Sequence, residues 1–156
     1  MTRRTEALLT IGYEGCTIEA VLRSLEEARV GLLIDVRALP QSRKPGFSKR
    51  QLAAALEDHG IRYLHLQGLG TPKAGRDAVR AGDVPTMHRI FRAHMQSDRA
   101  QAELASATDL ARSQRVCLLC FERDHAACHR SIVASMIAAR TGQPIRHLYA
   151  ENAREV

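Results

Sequence analysis

Tryptophan is absent from this chain of 156 residues, and phenylalanine and tyrosine occur three times each. Few aromatic faces are therefore on offer for stacking single-stranded bases. No apolar run approaches the ~18 residues of a membrane-spanning helix, and the opening MTRRTEALLTIGYEG turns polar again after one short apolar segment. Neither a membrane span nor a signal peptide is expected, so the reading is of a cytoplasmic protein with no membrane partner. The four cysteines are irregularly spaced, which suits reduced thiols, ligands or core residues better than a disulfide framework.

What is present is an ordinary globular composition. A 45% hydrophobic content over this length supports one domain, residues 1–156, with a real core. Twenty-three Lys and Arg against 17 Asp and Glu give a formal charge of +6, which favours an anionic small molecule or a nucleic acid as partner. The basic residues are spread along the chain rather than gathered in a tail.

Apolar periodicity divides the chain into alternating strands and helices. Ala7–Gly12 (ALLTIG) reads as a strand, followed by a helix with Ile18, Val21, Leu22 and Leu25 on one face, Thr17 as N-cap and Gly31 just past its end. A second strand at Val30–Val36 carries Asp35 near its end and Arg37 just beyond. Ser48 and Gln51 then form a capping box, Phe47 and Leu52 a hydrophobic staple, and Gly60 closes that helix before a third strand at Ile61–Leu66. The connection from Gln67 to Pro85 is long for a compact domain, so it is expected to be a lid with a helical turn around Asp77–Ala81. Met87, Ile90, Phe91 and Met95 make a helical stripe, and Asp98 with Gln101 caps a further helix. Val116–Phe121 is a fourth strand. It is followed by a helix whose first turn holds Cys128, His129 and Arg130, and Pro144–Tyr149 closes as an edge strand before a frayed tail from Ala150.

Five such alternations predict an α/β fold with a largely parallel five-stranded sheet and helices on both faces, a Rossmann-like three-layer arrangement. In such sheets the C-terminal strand ends share one edge, and ligands bind there. Tyr13 and Glu14 follow the first strand, Arg37, Ser42 and Arg43 the second, and Glu122, Cys128, His129 and Arg130 the fourth. Arg37, Ser42, Arg43 and Arg130 are expected to hold an anion, Tyr13 to line the pocket, and Asp35 to pair with an arginine. Glu122 is the leading general base, with Glu14 second, and Cys128 or His129 would serve acid–base or nucleophilic chemistry. A thiol at a helix start beside His129 and Arg130 is expected to have a lowered pKa.

Metal binding is tested by the same periodicity. Cys117, Cys120, Cys128 and His129 supply four potential ligands, but side chains alternate across a strand, so Cys117 and Cys120 face opposite ways and no metal site is expected. The Cys117-x5-Arg123 spacing matches a cysteine-phosphatase loop only formally, since the residues between are apolar strand. The leading reading is thus a phosphorylated ligand, a nucleotide or a nucleic-acid end, bound at the sheet edge, with or without catalysis and with no cofactor indicated. On that reading Arg37→Ala and Arg130→Ala weaken binding and leave the thermal midpoint nearly unchanged. The alternatives are a non-catalytic nucleic-acid module using Lys73, Arg76, Arg80, Arg89 and Arg92, and a thiol or metal sensor built on Cys120 and Cys128.

The segments TIGYEG (10–15), IDVRALPQSRKPGFSK (34–49), GIRYLHLQGLGTPK (60–73) and LLCFERDHAACHRSIVA (118–134) together resemble the DUF488 family, a domain of unknown function. The resemblance implies an α/β domain and no settled activity. It marks Gly12, Tyr13, Gly15, Asp35, Arg37, Pro40, Ser42, Cys120, Glu122, Cys128, His129 and Arg130 as motif positions. IDVR is also similar to the rhodanese-like domains, but their active-site cysteine loop is not matched, so no sulfurtransferase activity is implied.

Overall fold

Five strands lie parallel in one sheet in the computed structural model, which describes residues 6–152. They are β1 (Leu8–Gly12), β2 (Leu32–Asp35), β3 (Arg62–His65), β4 (Val116–Cys120) and β5 (Ile145–Leu148). Their order across the sheet is β3-β2-β4-β1-β5. Successive strands therefore step one way from β1 to β3 and back the other way through β4 to β5. The direction reverses between β1 and β4, which pair directly, and the C-terminal side of such a reversal is where open α/β sheets form a crevice.

Period-2 alternation then divides the core into two layers. Leu9, Ile11, Leu33, Cys117 and Leu119 face α1 (Ile18–Glu27) and α2 (Lys49–Asp58). Leu8, Leu32, Ile34, Val116, Leu118 and Cys120 face α4 (Val84–His94), α5 (Asp98–Ser113) and α6 (Arg130–Thr141). Val79 of α3 (Lys73–Arg80) packs at the margin of this second layer. Cys117 and Cys120 thus lie on opposite faces, as the strand period requires. None of the described helices is long and apolar enough to cross a membrane.

Several local expectations are corrected. Helix α1 ends on a left-handed Arg29 (φ 59°), so Gly31 is not its cap. Ser48 precedes α2, but its hydroxyl bonds to Ser42 instead of the helix, and Gln51 accepts from the Gly46 N–H, so no capping box forms. The N-cap of α5 is Ser97, accepting from the Ala100 N–H, and Gln101 donates to the Met95 carbonyl. The start of the tail is tied down, since Ala150 is buried and Asn152 bonds to both Thr17 and Gly15. The rest of the tail, like the first five residues, lies outside the described residues.

Candidate ligand-binding cleft

The loops after β1, β2 and β4 enclose, with α3, a cleft of about 530 Å³. Tyr13, Glu14, Arg37, Ser42, Glu122 and His129 line it, as the shared strand edge requires. Arg76 and Arg80 line it too, from α3. These two were missed as cleft residues because nothing local fixes where a 19-residue connection returns to the sheet. The only sequence signal was their i, i+4 spacing, which puts both on one helix face. Arg43 is exposed and does not line the cleft, and neither do Cys128 and Arg130, both of which are buried.

One wall is a buried ionic network. Asp35, the last residue of β2, is 0% exposed and accepts from Arg37 Nε at 2.9 Å, Arg37 Nη2 at 2.7 Å, the Arg37 backbone N–H at 3.1 Å and the Tyr63 hydroxyl at 2.6 Å. Arg37 Nη1 donates to the Tyr13 hydroxyl at 3.1 Å and the Phe47 carbonyl at 2.7 Å. Four of the guanidinium's five N–H donors are thus spent on the protein. Burial alone would lower the Arg37 pKa, but Asp35 outweighs it and holds the group above its ordinary value. Burial, followed by the Asp35 hydrogen bond, raises the Tyr63 phenol, and burial raises Tyr13 against the pull of Arg37. Tyr13 also stacks on Phe47 with centroids 4.3 Å apart and meets Phe121 edge-on at 5.4 Å. Its ring is held by the protein, and Phe121, 44% exposed, presents the accessible aromatic surface.

Behind the β4–α6 loop lies Arg130, the largest fully buried side chain among the described residues. Its Nε donates to Thr10 Oγ1 at 3.1 Å, Nη1 to the Glu122 carbonyl, and Nη2 to the Arg123 carbonyl at 3.3 Å. The guanidinium holds the loop from beneath. Room for it comes from Gly12, where an added Cβ would sit 1.8 Å from the Glu122 carbonyl oxygen and 2.9 Å from Arg130 Nη1.

The remaining wall brings together residues of β4 and the start of α6. Cys120 Sγ lies 3.6 Å from His129 Nδ1, Cys128 Sγ 3.9 Å from the same nitrogen, and Cys120 Sγ 3.5 Å from Glu122 Oε2. His129 Nε2 is 2.7 Å from the Val36 carbonyl, which can only accept, so Nε2 carries the proton and Nδ1 faces the sulfurs. The lowered thiol pKa expected for Cys128 is reversed. Full burial pushes it well above the ordinary thiol value, with Cys120 adding to the rise, because the helix start points into the core and not toward solvent. Cys117 is pushed up in the same way by its own burial. On the far side of Arg130, the Thr10 hydroxyl meets His147 Nδ1 at 2.5 Å, and the His147 ring stacks on His125 at 3.6 Å.

Comparison with known proteins returned no match among curated proteins and none among solved structures. A family model does match, that of the domain of unknown function DUF488, over residues 17–137. The matched span contains the cleft-lining segments of β2, α3 and β4 and leaves the TIGYEG motif just outside it. By that match over most of its length, the chain belongs to the DUF488 family.

Proposed function

We propose that the cleft binds a small phosphorylated ligand of the nucleotide class. The observation that carries this reading is that Arg76 and Arg80, one turn apart on α3, line the same cleft as the exposed ring of Phe121. Arg76 makes one hydrogen bond among the described residues, Nη1 to the Thr71 carbonyl at 2.8 Å, and Arg80 pairs only at 3.9 Å with Asp77. Both forks therefore keep donors for phosphate oxygens, while Phe121 and Leu39 offer apolar surface to a base. The role first given to Arg43 and Arg130 passes to Arg76 and Arg80, and Arg37 serves chiefly to hold Tyr13 and the cleft wall. Proton transfer on the ligand would fall to Glu122, which lines the cleft beside Cys120. Cys128 is buried and does not line the cleft, so this reading gives it no nucleophilic role. The setting is cytoplasmic, where nucleotides are abundant and thiols stay reduced.

Calorimetric titration with nucleoside mono- and diphosphates, against the unphosphorylated nucleoside, tests this. Arg76→Ala and Arg80→Ala are each expected to weaken phosphate-dependent binding by ~10–100-fold, since a hydrogen bond to a charged group contributes ~1.5–3 kcal/mol. Equal binding of the bare nucleoside would defeat the reading. Affinity for long DNA or RNA that falls steeply with salt, and is lost also on changing Arg89 and Arg92 on α4, would instead favour the nucleic-acid module.

A further inference from the structure

We propose that Cys120, Cys128 and His129 form a zinc site, with two thiolates and the Nδ1 of the imidazole as protein ligands and the fourth position open to the cleft. Among the described residues these three form a cluster whose ligand atoms all lie within 4.8 Å of one another, and all three residues are buried. The sulfur–nitrogen separations suit the ion. Zinc–sulfur bonds of ~2.3 Å and zinc–nitrogen bonds of ~2.0 Å at tetrahedral angles put sulfur and nitrogen about 3.5 Å apart. The observed sulfur–nitrogen distances are 3.6 Å and 3.9 Å.

The orientation of His129 is the second observation. A metal-bound imidazole regularly donates its other N–H to a backbone carbonyl or carboxylate, which fixes the tautomer and aims the free nitrogen at the ion. His129 Nε2 meets the Val36 carbonyl at 2.7 Å, and the ring is held edge-on against Phe91 with centroids 5.0 Å apart. Its Nδ1 lone pair is thereby directed at two sulfurs, which as thiols are weak hydrogen-bond donors. Cys117, which the strand period turns to the other layer, is no part of this set. Cys120 does not need it, because Cys128 and His129 approach from the start of α6 on the same face.

Two features fix the character of the site. Cys120 and His129 line the cleft and Cys128 lies behind them, so a bound ion would be covered on one side and reachable on the other. Three protein ligands with one open position mark reactive zinc sites, whereas structural ones are closed by four. Glu122 Oε2 lies 3.5 Å from Cys120 Sγ and Glu122 lines the same cleft, so a carboxylate stands beside the open position. Binding replaces the thiol protons of Cys120 and Cys128 by the metal, so two protons leave to solvent for each ion taken up, and His129 keeps its Nε2–H.

The site stands independently of the nucleotide reading, because it can be probed on the protein alone. Cobalt(II) is titrated into the full-length, reduced, metal-free chain, followed by zinc, while proton release is recorded in weak buffer. The expected result is saturation at one equivalent, sulfur-to-cobalt charge-transfer absorption with the strong visible bands of a tetrahedral ion, displacement by zinc, and two protons released. Cys120→Ser and Cys128→Ser should each remove the charge-transfer band or halve it, and weaken zinc by more than the ~10–100-fold cost of losing an outer-shell partner. Cys16→Ser, outside the cluster, should change neither. Because core variants can fail to fold, the unmutated protein decides the matter. If it shows no sulfur-to-cobalt absorption and takes up no stoichiometric zinc, or if Cys16→Ser abolishes the signal as fully as Cys120→Ser, the proposal is overturned.

Discussion

Arg37 lies flat along Asp35, Nε to Oδ1 at 2.9 Å and Nη2 to Oδ2 at 2.7 Å, with 4% and 0% of the two side chains exposed. Geometry of this kind offsets the cost of removing both charges from water, and it leaves either partner stranded if the other is removed. Arg37→Ala and Asp35→Ala are each expected to lower unfolding free energy by about 3–5 kcal/mol in urea denaturation, and the double variant to lose less than the sum. Losses below ~1 kcal/mol would show the pair to be dispensable to the fold. The sequence-based expectation of an unchanged thermal midpoint for Arg37→Ala is thus reversed, and Arg130, with all three guanidinium nitrogens bonded beneath the β4–α6 loop, follows it.

Gly12 is expected to resist any side chain. A Cβ there would overlap the Glu122 carbonyl and press on Arg130, so Gly12→Ala must displace the loop that carries Glu122 and Arg123. Overpacking of this kind costs ~1–3 kcal/mol, or more where backbone has to move. Denaturant unfolding reads the loss, and a Gly12→Ala protein of unchanged stability would contradict the packing described for this loop.

His147 gives the fold an acid-side dependence with a definite sign. Burial, followed by the charges of His125 and Arg130, lowers its pKa to about 4. Its Nδ1 accepts from the Thr10 hydroxyl, whose oxygen accepts from Arg130 Nε, so protonation breaks the chain and adds a cation beside another. The unfolded chain binds this proton near pH 6.5 and the folded chain only near pH 4, so stability present above 6.5 falls as pH drops through that window. Denaturation midpoints measured from pH 7 to pH 4 should decline less steeply in His147→Gln than in the parent. Parallel slopes would remove His147 as the cause.

Strand period and layer architecture were legible from residues alone. Alternation in VCLLC put Cys117 and Cys120 on opposite faces, and the two core layers divide there. The convergence of Tyr13, Arg37, Glu122 and His129 on one edge followed from parallel order. The depth of each side chain did not. Arg130 reads the same in sequence whether it points outward from α6 or beneath the loop, and the difference is set by the absent side chain of Gly12, more than a hundred residues away. Capping was misread for a related reason. Ser48 and Gln51 have the right spacing, but the Ser48 hydroxyl is taken by Ser42 and the Gln51 side chain by the Gly46 N–H, so partners in the preceding loop displaced the capping pair. The part played by Arg76 and Arg80 depends on how α3 packs on α4, which periodicity within either helix leaves unspecified.

The most direct measurement is a crystal structure of the chain grown with a nucleoside diphosphate. The expected density places phosphate oxygens within ~3 Å of the Arg76 and Arg80 guanidinium groups, in charge-assisted contact, with the base against Phe121. Density for the nucleotide on the outer face of α4 beside Arg89 and Arg92, with the cleft between α3 and the β4 loop holding only solvent, would contradict it.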